Sequence, residues 1–244
     1  MLSIVKSMSL YGLEGNIIDV QVDISRGMPT WEVVGLPDIS VRESKERVQT
    51  AIKNSGFEIF SRKIIINLAP ADIKKEGSFF DLPIALGVIL STNQIEEKKL
   101  KKFDFQHTAF VGELSLDGKI NKINGILPIC IEAKRLGIKR IIIPEENLKE
   151  AAIVNEIDIY GANNLKQIVE FIKTNEGLEK KEVSWNDIFS KTEKNNFDFS
   201  EVKGQENVKR ALEIAAAGGH NCLLIGSPGS RKNYACKKNS INIT

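Results

Sequence analysis

Cysteine is scarce. Cys130, Cys222 and Cys236 are the three in 244 residues, far apart and odd in number. That excludes a disulfide framework and favours a reducing cytosol. Histidine is scarcer: His107 and His220 stand alone, with no Cys or His at ligand spacing, so they form no metal set and are expected to be structural or solvent-facing. No apolar run approaches the length of a membrane span, and residues 1–12 alternate like a strand rather than a signal peptide. Charge of one sign is also lacking. The 34 basic and 32 acidic side chains leave a net +2, which gives no global reason to bind nucleic acid or membrane. A cytoplasmic protein without a membrane partner is expected.

What remains is ordinary. With 42% hydrophobic and 27% charged residues, the chain is long enough for one large domain or one and a half. Residues 4–10 read as a strand. Residues 16–24 alternate, with Ile18, Val20, Val22 and Ile24 on one face. Arg26 to Pro29 reads as a hairpin loop before a strand from Trp31 to Leu36, so an antiparallel meander is expected. Ser40, with Glu43 three residues on, predicts a capped helix to Asn54. Its inner face is Val41, Val48, Ala51 and Ile52; Arg42, Lys45, Glu46, Arg47 and Lys53 make a solvated outer face. Asp117-Gly118 predicts a hairpin. A helix from Asn124 to Leu136, a strand from Lys139 to Ile143, a helix from Glu145 to Val154, a strand from Ile157 to Tyr160 and a helix from Leu165 to Ile172 follow. The fold class expected is α+β. From Gly177 to Phe197 the chain turns polar and reads as a linker, with Trp185, Ile188 and Phe189 packing one turn. A helix from Gln205 to Ala217 and a strand from Cys222 to Ile225 come last.

The stretch from Asn67 to Leu90 organises the rest. It ends a strand, crosses a charged loop, and enters a helix so densely apolar (Phe80, Leu82, Ile84, Ala85, Leu86, Val88, Ile89) that it is expected to be buried nearly all round. Asp81 is placed where free backbone N–H groups and the macrodipole favour a carboxylate, and Pro83 is tolerated in the first turn. A Ser–Lys peptidase needs a serine nucleophile and a lysine to take its proton. Ser78 beside Lys74 and Lys75 reads as a loop serine among solvated lysines.

Lys75-Glu76-Gly77-Ser78-Phe79-Phe80-Asp81 resembles the centre of the Lon proteolytic domain, roughly Lys-Asp-Gly-Pro-Ser-Ala-Gly, with Phe79 at the nucleophile position. The hairpin from Gly112 to Lys119 and the following Asn124 to Leu127 resemble the segment that brings the Lon lysine, with Leu127 at its position. The wording of residues 67–87 is similar to the magnesium-chelatase-like AAA+ ATPases of the ComM (YifB) type, which carry a degenerate Lon-like domain before an ATPase module. The resemblance runs over nearly the whole chain. It implies a Lon-like (ribosomal S5 domain 2-like) sandwich over 1–175, a linker over 176–197 and an incomplete P-loop α/β segment over 198–244. It also implies ATP and Mg²⁺ as cofactors, a hexameric ring of identical copies, and DNA as partner in recombination, branch migration or natural transformation. The alternative is a non-enzymatic oligomerisation or binding domain with a disordered tail.

In the last segment Gly226, Ser227, Pro228, Gly229, Ser230 and Lys232 follow the phosphate-binding loop, but Arg231 stands where Gly is required and Asn233 where a hydroxyl ligand for Mg²⁺ is required. The chain also ends at Thr244, before an acidic Mg²⁺-binding strand. Arg231 to Thr244 can be encoded so that dropping one base reads Gly-Lys-Thr-Met-Leu-Ala-Lys-Arg, which restores both positions. A frameshifted, ATPase-inactive chain is therefore expected. The boundaries also predict that a chain cut at Asn175 unfolds in one cooperative thermal transition; a molten species would show the boundary to be misplaced.

Overall fold

The computed structural model describes residues 2–12, 14–180, 204, 206–218 and 220–225. The chain divides into two units, Met1–Trp185 and Asn186–Thr244, each described by itself.

In the first unit, β1 (Leu2–Tyr11) and β2 (Glu14–Ser25) form a long antiparallel pair, in register from Leu2 opposite Asp23 to Tyr11 opposite Glu14. Along β2 the alternation holds: Ile18, Val20, Val22 and Ile24 are buried while the intervening residues are not. The expected meander stops there. β3 (Thr30–Val34) does not return beside β2. It runs parallel to β4 (Lys63–Ala69), which itself lies antiparallel to β2. The reason is burial. In β4, Ile64, Ile66 and Leu68 are buried, so this strand takes an interior place with two neighbours. β3 alternates between exposed and half-exposed and takes the sheet edge after Pro29. The connection between them is a helical crossover, α1 (Ile39–Arg42) and α2 (Ser44–Asn54). The cap is Asp38, whose carboxylate accepts the Val41 N–H at 2.8 Å, rather than Ser40, and the helix breaks at Glu43.

The central helix α3 (Asp81–Ser91) is buried at all 11 positions. It packs on β1, β2 and α2. After the short α4 (Glu97–Leu100) come β5 (Thr108–Phe110), the hairpin β6 (Glu113–Leu114) and β7 (Ile120–Asn121), α5 (Ile126–Arg135), β8 (Arg140–Pro144), α6 (Leu148–Ala151), β9 (Asp158–Ala162) and α7 (Leu165–Thr174). The helix expected from Glu145 to Val154 is a 3-10 turn, Glu145–Asn147, followed by the short α6. The main sheet has seven strands in the order β3-β4-β2-β1-β5-β8-β9. Four of its six pairings are parallel: β3 with β4, β1 with β5, β5 with β8, and β8 with β9. The architecture is therefore mixed α/β with a mostly parallel sheet; the expected meander is corrected at β3, while the antiparallel β1–β2 pair stands. Both faces are covered where the strands are most apolar. In β8, Ile142 joins the core under α2, α3 and α7, while Ile141 and Ile143 join a second core under α5 and α6. Packed chain continues past Asn175: Leu178 lies on the first core, and Tyr160 bridges to Lys180.

In the second unit α8 (Glu206–Gly218) is the expected helix. Cys222 to Ile225 carries no strand, and Leu223 and Ile225 are exposed. Among the described residues of this unit no strand faces this segment to complete a ladder. Linker residues 181–197, including the turn expected at Trp185, Ile188 and Phe189, and the phosphate-loop residues Gly226, Ser227, Pro228, Gly229, Ser230 and Lys232, lie outside the described residues.

The close fit of α3 on β2 rests on Gly87. A Cβ there would meet Val22 Cγ2 at 2.5 Å, and both Ser3 and Ser91 hydroxyls donate to the Gly87 carbonyl at 2.8 Å. Val22 is β-branched and buried in a strand, so it cannot step aside. Gly87→Ala is expected to cost roughly 1–3 kcal/mol in denaturant titration, although Ala is the better helix former by about 1 kcal/mol.

Candidate functional site

The polar chain that enters α3 is where chemistry could sit, and it is held at several points. Asp38 does two jobs: one carboxylate oxygen caps α1, and the other accepts the Gly77 N–H at 3.1 Å. Backbone bonds run both ways between the same segments, with Lys75 N–H donating to Leu36 O at 3.1 Å and Asp38 N–H to Lys75 O at 2.9 Å. Gly77 is needed in this loop because its φ is +92°. Lys75 is fully buried, and its ammonium donates to the Pro70 carbonyl. This corrects the expectation of solvated lysines; only Lys74 is exposed. Burial pushes the Lys75 amine below the usual lysine range.

Asp81 does not cap its own helix. Its carboxylate is 1% exposed and receives a two-pronged contact from Arg47, Nε at 2.8 Å and Nη2 at 3.1 Å, with the Leu114 N–H at 3.4 Å. Arg47 is thereby removed from the expected solvated face, where Lys45, Glu46 and Lys53 of α2 and Arg42 of α1 do remain exposed. Desolvation dominates at Asp81 and pushes its carboxyl up to about 6, against the opposing pull of Arg47. Beside it, the Ser78 hydroxyl donates to Glu113, which also accepts from Asn121 Nδ2 at 3.2 Å; Asn121 accepts from Ser115 at 2.9 Å. The β6–β7 hairpin is thus tied to the helix entry by side chains. It is also tied by backbone, with Gly112 N–H donating to Phe79 O and Leu82 N–H to Gly112 O, both at 3.0 Å.

Phe79 lies in the 3-10 turn Ser78–Phe80 and packs against both cores. Leu127 is half-buried on the first turn of α5. Neither side chain can attack a carbonyl or carry a proton. Cys130 is buried and its thiol is pushed up to about 12, so it is an unreactive core residue. His107 is exposed and paired with Asp104 at 2.9 Å, and His220 is exposed. Among the described residues no group of three His, Cys, Asp or Glu could hold a metal ion, and no helix is long and apolar enough to cross a membrane.

The fold and this loop define a mixed α/β domain whose helix entry is fixed by a buried ion pair and whose turn carries an apolar residue. Comparison with known proteins gives the family. The description "Subunit ChlI of Mg-chelatase" matches residues 20–147, and "Magnesium chelatase, subunit ChlI" matches residues 198–241. The chain belongs to this magnesium-chelatase family and is of the ComM/YifB type. It is 37% identical over 238 residues to competence protein ComM of Haemophilus influenzae, covering 97% of this chain and 46% of the relative. It is 40% identical over 237 residues to the uncharacterized protein YifB of Escherichia coli, covering 97% and 45%. Lon protease 2 of Bacillus subtilis is 26% identical over 198 residues, covering 73% and 34%. The chain spans a little under half the length of the first two relatives.

The ion pair went unseen in the sequence because its partners are 34 residues apart. One signal was present: a carboxylate next to a run of fully apolar helix positions requires a cation. Removing either partner should differ in effect. Asp81 has no route to water, whereas Arg47 keeps 28% of its side chain exposed. Arg47→Leu is expected to cost about 3 kcal/mol at pH 7, and Asp81→Asn about 1 kcal/mol. The folded carboxyl lies above its unfolded value of 3.8. Its contribution is therefore fully present below pH 4 and lost as pH rises through about 6. The Arg47→Leu penalty should shrink below pH 6, and Asp81→Asn should flatten the pH 4–6 slope in denaturant titrations.

Proposed function

We propose that residues 1–175 are a Lon-like sandwich domain that has lost peptidase chemistry and serves an ATP-driven AAA+ ring motor acting on DNA. In this reading the linker covers 176–197 and the ATPase segment 198–244. In the intact family the ring would be a hexamer using ATP and Mg²⁺, with roles in recombination, branch migration or natural transformation. The observation that carries the reading is Phe79, an apolar ring wedged between two cores at the position matching the Lon nucleophile, with Leu127 matching the lysine. A Ser–Lys pair needs a hydroxyl and an amine within hydrogen-bond reach. Ser78 instead donates its hydroxyl hydrogen bond to Glu113, and the Lys75 amine donates to the Pro70 carbonyl. The name of the Haemophilus relative, a competence protein, supports the DNA part.

For this chain we propose no ATP turnover. Arg231 puts a side chain where backbone must approach phosphate, and Asn233 lacks the hydroxyl for Mg²⁺. The abrupt departure at Arg231 is proposed to be a one-base frame change. The family match continues to residue 241, so divergence in frame is the competing outcome, and the gene sequence around codon 230 separates the two. The purified chain is expected to hydrolyse ATP no faster than its Lys232→Ala variant and to resist labelling at Ser78 by a serine-directed phosphonate. Turnover above that control would overturn the inactive ATPase, and a covalent adduct would overturn the lost peptidase.

A further inference from the structure

A trough runs between one side of α2 and the end of the sheet where β3 is the edge strand and β4 its neighbour, with a cavity volume of about 220 Å³. Lys45, Gln49 and Lys53 line one wall at a spacing of four residues, a row about 12 Å long at the rise of an α-helix. Phe60 and Arg62 line the other side, the guanidinium 5.3 Å from the centre of a ring that is 37% exposed. Trp31 also lines the trough, and its indole N–H is buried without a hydrogen-bond partner. No carboxylate lines it. Lys45 makes one loose contact, with Glu46 at 4.0 Å, and among the described residues Lys53 and Arg62 form no ion pair.

The site's parts ask for a particular ligand. A lone cation on a surface is solvated and needs no explanation. Two lysines about 12 Å apart on a helix, with an arginine opposite, favour a linear polyanion over a single phosphate. The guanidinium lies over the partly exposed Phe60 ring, and this cation–ring pair offers a platform on which a base can stack. A duplex keeps its bases stacked and paired, so its rings cannot reach Phe60. A single strand can lay its phosphates along the lysine row and unstack one base onto the Phe60–Arg62 platform.

We propose that this trough is a binding site for single-stranded nucleic acid, with Lys45, Lys53 and Arg62 on the phosphates and Phe60 under a base. The site deepens the DNA part of the reading above and places that contact in the first unit rather than in the phosphate-loop segment.

The test uses the chain as it is, with a fluorescent oligothymidylate of about a dozen nucleotides followed by anisotropy. Binding is expected to weaken tenfold or more in Lys53→Gln/Arg62→Gln. A loss of about fivefold or more is expected in Phe60→Ala, the stacking contribution of one base. The slope of log affinity against log salt should be about −2 for three phosphates contacted by a single strand. Since the chain has two tryptophans, a Trp185→Phe background leaves Trp31 as the reporter, and its emission should change on binding. These side chains are at the surface, so melting temperatures should stay unchanged and exclude misfolding. Equal affinity in the double variant and the parent would overturn the trough while leaving DNA binding elsewhere standing. No binding by the parent would overturn it too. Equal affinity for a duplex of the same length, a mononucleotide, inorganic phosphate or poly-glutamate, lost in the same variants, would replace it with a site that reads charge alone.

Discussion

A helix with no exposed residue has to be entered by a chain that has been in water. In α3 that transition falls within one residue: Phe80 and Leu82 are fully buried, and between them stands a carboxylate. Moving a charge into such surroundings costs several kcal/mol unless a partner comes with it. Arg47, delivered by α2, is that partner, and its second nitrogen also donates to the Ser40 carbonyl at 3.2 Å. One guanidinium therefore joins the start of the buried helix to the crossover that precedes it. The placement of α2, the loop from Pro70 to Phe80 and the β6–β7 hairpin all depend on this contact.

The same logic explains why the loop is so heavily pinned. Polar atoms close to a core must find partners, and here they find one another: Asp38 with Gly77, Lys75 with Pro70, Ser78 with Glu113, Glu113 with Asn121. Two of these bonds engage the hydroxyl of Ser78 and the amine of Lys75, groups that a Ser–Lys hydrolytic centre would need free. A nucleophile must be unencumbered and a base must face it. In this loop the hydroxyl serves as an anchor, the amine is buried, and the position between the cores is filled by a phenyl ring. One Lon protease is 26% identical to this chain over 198 residues, and in this loop the groups that could move a proton are engaged in structural hydrogen bonds.

The other side of α2 turns charge outward, with Lys45 in one loose contact 4.0 Å from Glu46 and Lys53 in no ion pair among the described residues. Helix periodicity divides this element cleanly: Val48, Ala51 and Ile52 build the core, Arg47 locks the α3 entry, and Lys45, Gln49 and Lys53 face the trough at the sheet edge. A single helix thus supplies core, lock and outward charge through its three faces.

The sequence by itself determined the elements with strong local periodicity. Strand β2, the burial of α3, the apolar stripe of α5 and the turn at Gly118 were legible because period and turn chemistry are set by neighbours in the chain. The family was legible too, from the wording of residues 67–87. Strand order was not: β3 follows β2 in sequence, and only competition for interior positions sends it to the far side of β4. The partners of Arg47, Lys75 and Ser78 were hidden as well, because a charged residue looks solvated until its neighbours in space are known. Tertiary structure decided those roles, since the free energy of a charge depends on the water it loses and the partner it gains, and local pattern reports neither.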